Sequence, residues 1–162
     1  MKKITFILLA LISGTAFAQQ NEAKGTAEVI AKIAQPLTIT SSGNLDFATI
    51  AQPDAAADVK LSYDNARTIP TGMVVPANTT TSVPTFTVKK ETGLTYKVVT
   101  GSTDLKIEGG DDKITIKDIT TSLDATNGVT AETFTVGATL GLIADQSPGN
   151  YKGEVSVTVS YE

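Results

Sequence analysis

The sequence contains no cysteine, no histidine and no tryptophan among its 162 residues. The absence of cysteine excludes disulfide bridges, thiolate nucleophiles and cysteine-based zinc sites. The absence of histidine excludes imidazole metal ligands and the serine–histidine and cysteine–histidine pairs of many hydrolases. The indole platform of many sugar-binding surfaces is missing as well. A domain of this composition depends on an apolar core and on hydrogen-bonded strands for its stability.

The remaining polar residues form no recognisable catalytic or metal-binding motif. Asp111 and Asp112 follow Glu108, but the alternating oxygen ligands and the closing carboxylate of a calcium loop are missing, so a charged turn is favoured. Lysine and serine occur without the fixed spacing of a nucleophile and its base. We therefore expect no enzymatic activity, no metal site and no cofactor.

The first residues have the layout of a secretory signal peptide. The basic pair Lys2-Lys3 precedes an apolar run over residues 4–12, and Ala16-Phe17-Ala18 supplies the small residues of a cleavage site. The apolar run is well short of the ~20 residues that span a bilayer. We predict a signal peptide over residues 1–18, a mature chain that begins at Gln19, and no transmembrane segment after cleavage. With no cysteine to carry a lipid, the predicted localisation is the periplasm, then the cell surface or the exterior.

Cleavage after residue 18 leaves 144 of the 162 residues, which predicts a single domain over residues 19–162. The signal peptide removes two of the 13 basic residues, so 11 basic residues remain against 17 acidic ones, a formal charge of −6. A surface of that sign repels phosphate backbones, and no basic stripe opposes it. Nucleic acid is not an expected partner.

The mature sequence alternates apolar and polar residues in several short stretches, which is the period of a half-buried antiparallel strand. Glycine, proline, asparagine and aspartate separate these stretches, and no segment has a sustained helical period. We predict an all-β sandwich of roughly eight to ten short antiparallel strands, with Phe86, Val88, Tyr96, Ile114 and Ile116 facing inward. The alternating stretches are 27–33, 45–47, 86–88, 114–116 and Val155–Tyr161, and weaker ones lie near 59–63, 73–75 and 134–142.

The last alternating stretch has an unbroken apolar face. A strand carries a row of N–H and C=O groups on each edge, and an uncovered edge is a template for pairing with another chain. We therefore predict a strand-pairing interface around this strand and the glycine turn before it. Its residues are Gly149, Tyr151, Gly153, Val155, Val157, Val159 and Tyr161.

Two features of this region resemble the subunit signature of chaperone–usher pilins. Gly149 is fourteenth from the end of the sequence, and Tyr161 is penultimate. In pilins, a periplasmic chaperone pairs with the terminal strand of an incomplete immunoglobulin-like subunit, and a neighbouring subunit then inserts its N-terminal strand. The resemblance implies copies of this chain or related subunits as partners, together with a periplasmic chaperone and an outer-membrane usher.

More of the mature chain resembles the secreted bacterial domain-of-unknown-function family 4402, which is similar to pilin-type adhesins and spore-coat-U-like subunits. The segments that carry this resemblance are 29–37, 44–47, 86–88, 93–96, 134–140 and 149–153. The Gly-x-Tyr-x-Gly turn before the last strand is the most specific of them. Two residues depart from the family pattern: Ala48 stands where the family usually has glycine after the phenylalanine, and Ala138 where a second glycine is common. The resemblance implies an immunoglobulin-like, pilin-type sandwich and a fimbrial or adhesive subunit.

The origin of the inserted strand stays open at this point. Ala27, Val29, Ala31 and Ile33 share one face of the first alternating stretch, and they are the candidate donor strand. The same residues would otherwise form the first strand of a self-complete domain. In that case we expect a secreted binding module that contacts a surface ligand through the loops of residues 63–80.

Overall fold

The structure is a computed structural model that describes residues 22–76 and 79–162, with a compact unit from Ala34 to Glu162. The predicted signal peptide and Gln19 lie outside the described residues. The compact unit contains ten strands: β1 (Thr38–Ser42), β2 (Ala57–Leu61), β3 (Arg67–Thr68), β4 (Thr85–Lys89), β5 (Tyr96–Ser102), β6 (Leu105–Ile107), β7 (Lys113–Thr121), β8 (Thr133–Leu142), β9 (Tyr151–Lys152) and β10 (Val155–Tyr161).

The larger sheet is built around β8, the longest strand. One edge of β8 pairs with β7, and its other edge is divided between β4 at the start and β2 at the end. Beyond these neighbours, β1 pairs with β4, β3 with β2, β6 with β7 and β9 with β6. Every pairing is antiparallel. β1 and β3 therefore end one side of this sheet, and β9 ends the other.

The second sheet pairs β5 with β10. Only Thr103 and Asp104 separate β5 from β6, and only Gly153 and Glu154 separate β9 from β10. The Thr103 N–H donates to the Glu154 carbonyl at 2.9 Å, and the Glu154 N–H donates to the Thr103 hydroxyl at 3.0 Å. These bonds join the β5–β6 connection to the β9–β10 connection, where both cross between the two sheets.

The core consists of two clusters of buried side chains. Val59, Leu61 and Leu140 belong to the cluster between β2, β7 and β8. Phe86 and Phe134 belong to the other, and their rings stack with centroids 5.5 Å apart. Tyr96 is completely buried in this second cluster, and its hydroxyl donates to the Ala131 carbonyl at 2.6 Å. Burial raises the pKa of Tyr96 above its ordinary value.

The predicted fold class is confirmed. The described residues form an antiparallel all-β structure of ten strands without a helix, consistent with a β-sandwich. Phe86, Val88, Tyr96 and Ile114 are buried as predicted. Ile116 is half-buried, because it borders a cavity that reaches the surface.

Residues 27–33 form no strand, and two further predicted strands, at 45–47 and 73–75, are absent as well. Residues 45–47 form a single bridge between Asp46 and Ser82, because the chain turns directly after Phe47. At this turn the Ala48 N–H donates to the Asp46 carboxylate at 2.7 Å, and Ala48 has a positive φ of 57°. Residues 73–75 form no strand, since they follow a turn in which Gly72 has a φ of 90°. In both places local turn chemistry prevails over the apolar alternation.

Candidate functional site: an open strand edge

The predicted pairing strand is present as β10, and it is paired on one edge. Its register with β5 is continuous, from Val155 opposite Ser102 to Tyr161 opposite Tyr96. Among residues 22–76 and 79–162, no strand pairs with the other edge of β10. The unpaired edge therefore presents main-chain N–H and C=O groups of the kind that accept an added strand.

The inward face of β10 is only partly covered. Val155, Val157 and Val159 pack against the cluster that contains Phe86 and Phe134, and all three are half-buried. Ser156 and Thr158 are exposed on the opposite face, as the period-two pattern predicts. The core cluster is thus open along one side of β10.

The turn before β10 is held by a buried amide. Gln146 is only 6% exposed, and its side-chain nitrogen donates to the Tyr151 hydroxyl at 2.9 Å. That hydroxyl donates in turn to the Ser147 carbonyl at 2.8 Å. A Cβ atom on Gly149 would lie 2.6 Å from the side chain of Ile107, and one on Gly153 would lie 3.1 Å from the Leu105 backbone. The glycines therefore allow close packing of this turn against β6.

The start of β10 borders a cavity of about 650 Å³. The wall on one side is formed by the segment that follows β1, and the wall on the other by the turn and first residue of β10. The apolar lining residues are Leu45, Phe47, Phe86, Leu105, Ile116, Tyr151 and Val155. The cavity thus gives access to both core clusters from the surface.

The edge that faces β10 belongs to β1. β1 pairs with β4 on one edge, and within the described residues no strand pairs with its other edge. Leu37 and Ile39 pack against the same core cluster as the valines of β10. Gln35 contacts Tyr161 at one end, and Ser41 shares the cavity with Val155 at the other, so β1 and β10 run in opposite directions. We call the gap between these two unpaired edges the groove.

Tyr161 links the two sides of the groove at the end of β10. The Glu91 N–H donates to the Tyr161 hydroxyl at 2.8 Å, and this hydroxyl donates to the Gln35 carbonyl at 3.0 Å. The Gln35 N–H donates to the Glu91 carboxylate at 3.4 Å. One phenol ring therefore connects the end of β10 with the residues before β1 and after β4.

The candidate donor residues lie outside the compact unit. Residues 22–33 form no strand, and Ala27, Val29, Ala31 and Ile33 are exposed, with Val29 at 93% and Ile33 at 94%. A single extended segment has no ladder of its own, and a lone strand is stable only when it pairs with an edge. The apolar side chains of this segment are thus unburied in the isolated chain.

The alternative contact region, residues 63–80, is described except at positions 77 and 78. Tyr63 is 43% exposed and Val74 is 66% exposed. Asp64 accepts bonds from the Ser62 hydroxyl and the Ala66 N–H, and the bond from Ser62 is the main cause of the lowered pKa of Asp64. The region is anchored where the Arg67 guanidinium donates to the Phe47 carbonyl at 2.6 Å.

Within the part of the chain that the structure describes, no three acidic side chains are grouped so that they hold a metal ion. Glu108 and Lys152 form an exposed ion pair beside the turn, and the bond from Lys152 lowers the pKa of Glu108. The described residues also include no helix long and apolar enough to span a membrane.

The sequence indicated one side of this site and missed the other. The predicted interface residues from Gly149 to Tyr161 all lie along the groove or in the turn before it. The unpaired edge of β1, Phe47 in the cavity wall and the bonds of Tyr161 to Gln35 and Glu91 were not predicted. The period-two placement of Leu37 and Ile39 is the one local signal for β1.

Comparison with known proteins identifies the family. The model of DUF4402, a domain of unknown function, matches residues 37–161, which runs from just before β1 to the last residue of β10. No curated protein and no solved structure gives a significant match. The match includes both edges of the groove, covers most of the sequence and leaves the candidate donor residues outside it. The chain belongs to the DUF4402 family.

Proposed function

We propose that this chain is an exported structural or adhesive subunit of a fimbria-like surface assembly, and that it associates by β-strand complementation. The observation that carries the proposal is the unpaired edge of β10, whose inward valines are only half-buried. A strand added there gains main-chain hydrogen bonds, and its alternate side chains cover apolar surface. The role is structural, not catalytic.

The candidate donor strand suits the groove in length and pattern. It extends over residues 27–33, seven positions, and β10 also has seven residues. Its four inward candidates are apolar, and an inserted strand would place them against Val155, Val157 and Val159. Burial of apolar surface contributes about 25 cal/mol per Å². The exposed donor face and the open core are thus complementary.

The partners in this proposal are other copies of the chain or related subunits. The pilin resemblance adds a periplasmic chaperone, which would cover the groove before assembly, and an outer-membrane usher. The open groove is a reason to expect a chaperone, because an unpaired strand edge beside exposed apolar side chains promotes aggregation until it is covered.

Association is tested by a matched pair of substitutions in β10. Val157→Asp places a carboxylate on the inward face, where burial without a partner is costly, and should abolish association of the mature protein. Thr158→Asp adds the same charge on the exposed face and should leave association unchanged. Size-exclusion chromatography with mass detection measures the oligomers, and circular dichroism verifies that both variants fold.

The self-complete binding module is the second candidate function. The exposure of Tyr63 and Val74 in the 63–80 region favours it, because exposed aromatic and aliphatic side chains are common in binding loops. A peptide of residues 26–33 should raise the melting temperature of a chain that begins at Gln35 under either function. The full mature chain separates them: a protein that stays monomeric at high concentration with chaperone and usher supplied would favour the binding module.

Export has its own test. The mature protein recovered from the periplasm or culture medium should begin at Gln19, because Ala16 and Ala18 meet the small-residue requirement of signal peptidase. N-terminal sequencing measures the cleavage position. Recovery of a chain that still begins at Met1 would contradict the export argument.

A further inference from the structure

We propose that the side chain of Tyr161 is a stop that sets the register of the strand inserted beside β10. This inference rests on the proposed strand complementation and assigns a positioning role to one residue of that site. The apolar alternation of the candidate donor strand, residues 27–33, is insufficient for this task. It excludes a slip by one residue, which would turn every side chain to the other face. It does not exclude a slip by two, because Ala27, Val29, Ala31 and Ile33 are all apolar.

The groove is closed at the end of β10 where Tyr161 lies. Tyr161 has the same parity as the inward valines of β10, and its ring reaches Gln35 and Glu91 on the other side of the groove. The Gln35 carbonyl, which precedes β1, already accepts the bond from the Tyr161 hydroxyl. A strand between β10 and β1 that continued past this point would meet the ring and lose that carbonyl as a partner.

Within residues 22–76 and 79–162, no such side-chain bond joins the two sides at the opposite end of the groove. The cavity of about 650 Å³ lies there, and glycines occupy both walls, at Gly43 and Gly153. An inserted strand is therefore unobstructed at the cavity end and blocked at the Tyr161 end. Since the described part of the chain closes only the Tyr161 end, the position of the strand is defined by how far it reaches toward Tyr161.

The absence of native cysteine allows a direct measurement of register. Thr158→Cys lies on the exposed face of β10, and the donor residues on the equivalent face are Glu28, Ile30 and Lys32. Three mature full-length proteins would each carry Thr158→Cys with one cysteine at position 28, 30 or 32. Directly opposite residues have Cβ atoms about 4.5–5.5 Å apart and diagonal ones about 7–8 Å, so a disulfide reports the opposite pair.

With Tyr161 present, one of the three proteins should form disulfide-linked multimers at least about fivefold more efficiently than the other two. Non-reducing electrophoresis measures the yields. Tyr161→Phe keeps the ring and should preserve this single preferred pair. Tyr161→Ala removes the ring and should reduce the preference to less than about twofold, as strands shifted by two residues become populated.

Tyr161→Leu is the second test, because leucine retains apolar bulk but is too short to reach Gln35. This variant should lose the single preferred disulfide pair, as Tyr161→Ala does. Thermal melting followed by circular dichroism verifies that the variants fold. A single preferred pair that persists in both Tyr161→Ala and Tyr161→Leu would overturn the stop while leaving strand complementation intact. Absence of cross-linking in all three proteins with Tyr161 present would reject strand complementation, and the stop with it.

Discussion

Replacement of Phe86 by alanine is expected to lower the free energy of unfolding by about 3–5 kcal/mol. Phe86 is buried, and its ring stacks on that of Phe134 with centroids 5.5 Å apart and an interplanar angle of 18°. The substitution removes apolar burial, leaves a cavity in the core cluster and removes the aromatic contact. Urea denaturation of the mature protein, at a concentration where it is monomeric, measures the loss.

The control for this prediction is the next residue of β4. Thr87 is half-buried on the opposite face, paired with Thr40 of β1 and Thr133 of β8, so Thr87→Ala should cost less than about 1 kcal/mol. A loss below about 1 kcal/mol for Phe86→Ala would show that this face of β4 does not support the core.

Replacement of Gly137 by alanine is expected to cost about 3 kcal/mol, a large effect for one added methyl group. A Cβ atom at this position would lie 2.4 Å from the Leu61 carbonyl oxygen and 2.6 Å from backbone atoms of Ser62 and Tyr63. The end of β2 therefore passes directly over Gly137 of β8. Backbone atoms have no rotamer by which they move aside, so the end of β2 and the residues after it have to shift away from β8. Chemical denaturation measures the change.

Gly141 supplies the matched control on the same strand. A Cβ atom there would lie 2.5 Å from Cε of Lys117, whose ammonium pairs with Asp58 at 2.9 Å. The Lys117 side chain is flexible and half exposed, so it can swing aside. The cost of Gly141→Ala should be below about 1 kcal/mol, the usual upper value of an exposed ion pair. Equal losses at the two glycines would contradict a role for backbone crowding at Gly137.

Ala138, the residue after Gly137, is buried opposite Leu61 without disturbing the pairing of β2 with β8. The glycine that the packing requires is the preceding one, Gly137. A sequence alone does not show that position 137 needs glycine and position 138 does not, because the backbone that crosses Gly137 is more than seventy positions away along the chain.

The features that the sequence determined are those with a local physical cause. The alternation of Val155, Val157 and Val159 with polar residues defined β10, because successive side chains of a strand point to opposite faces. The same rule placed Phe86, Val88 and Tyr96 inside. The charged turn predicted at Asp111 and Asp112 is the reversal between β6 and β7, where Gly109 adopts a positive φ of 81°.

Only the tertiary structure decided which strands pair and which edges stay open. One edge of β8 is divided between β4 and β2, and β10 pairs with β5. The edges of β1 and β10 that stay unpaired follow from these pairings. All of these pairings are hydrogen bonds between residues far apart in the chain. Apolar period determines which face of a strand is buried, and it carries no information about the neighbour on either edge. The groove and the bonds of Tyr161 across it could therefore not be predicted from the sequence. They exist only because non-local strand pairing brings β1 and β10 to face each other.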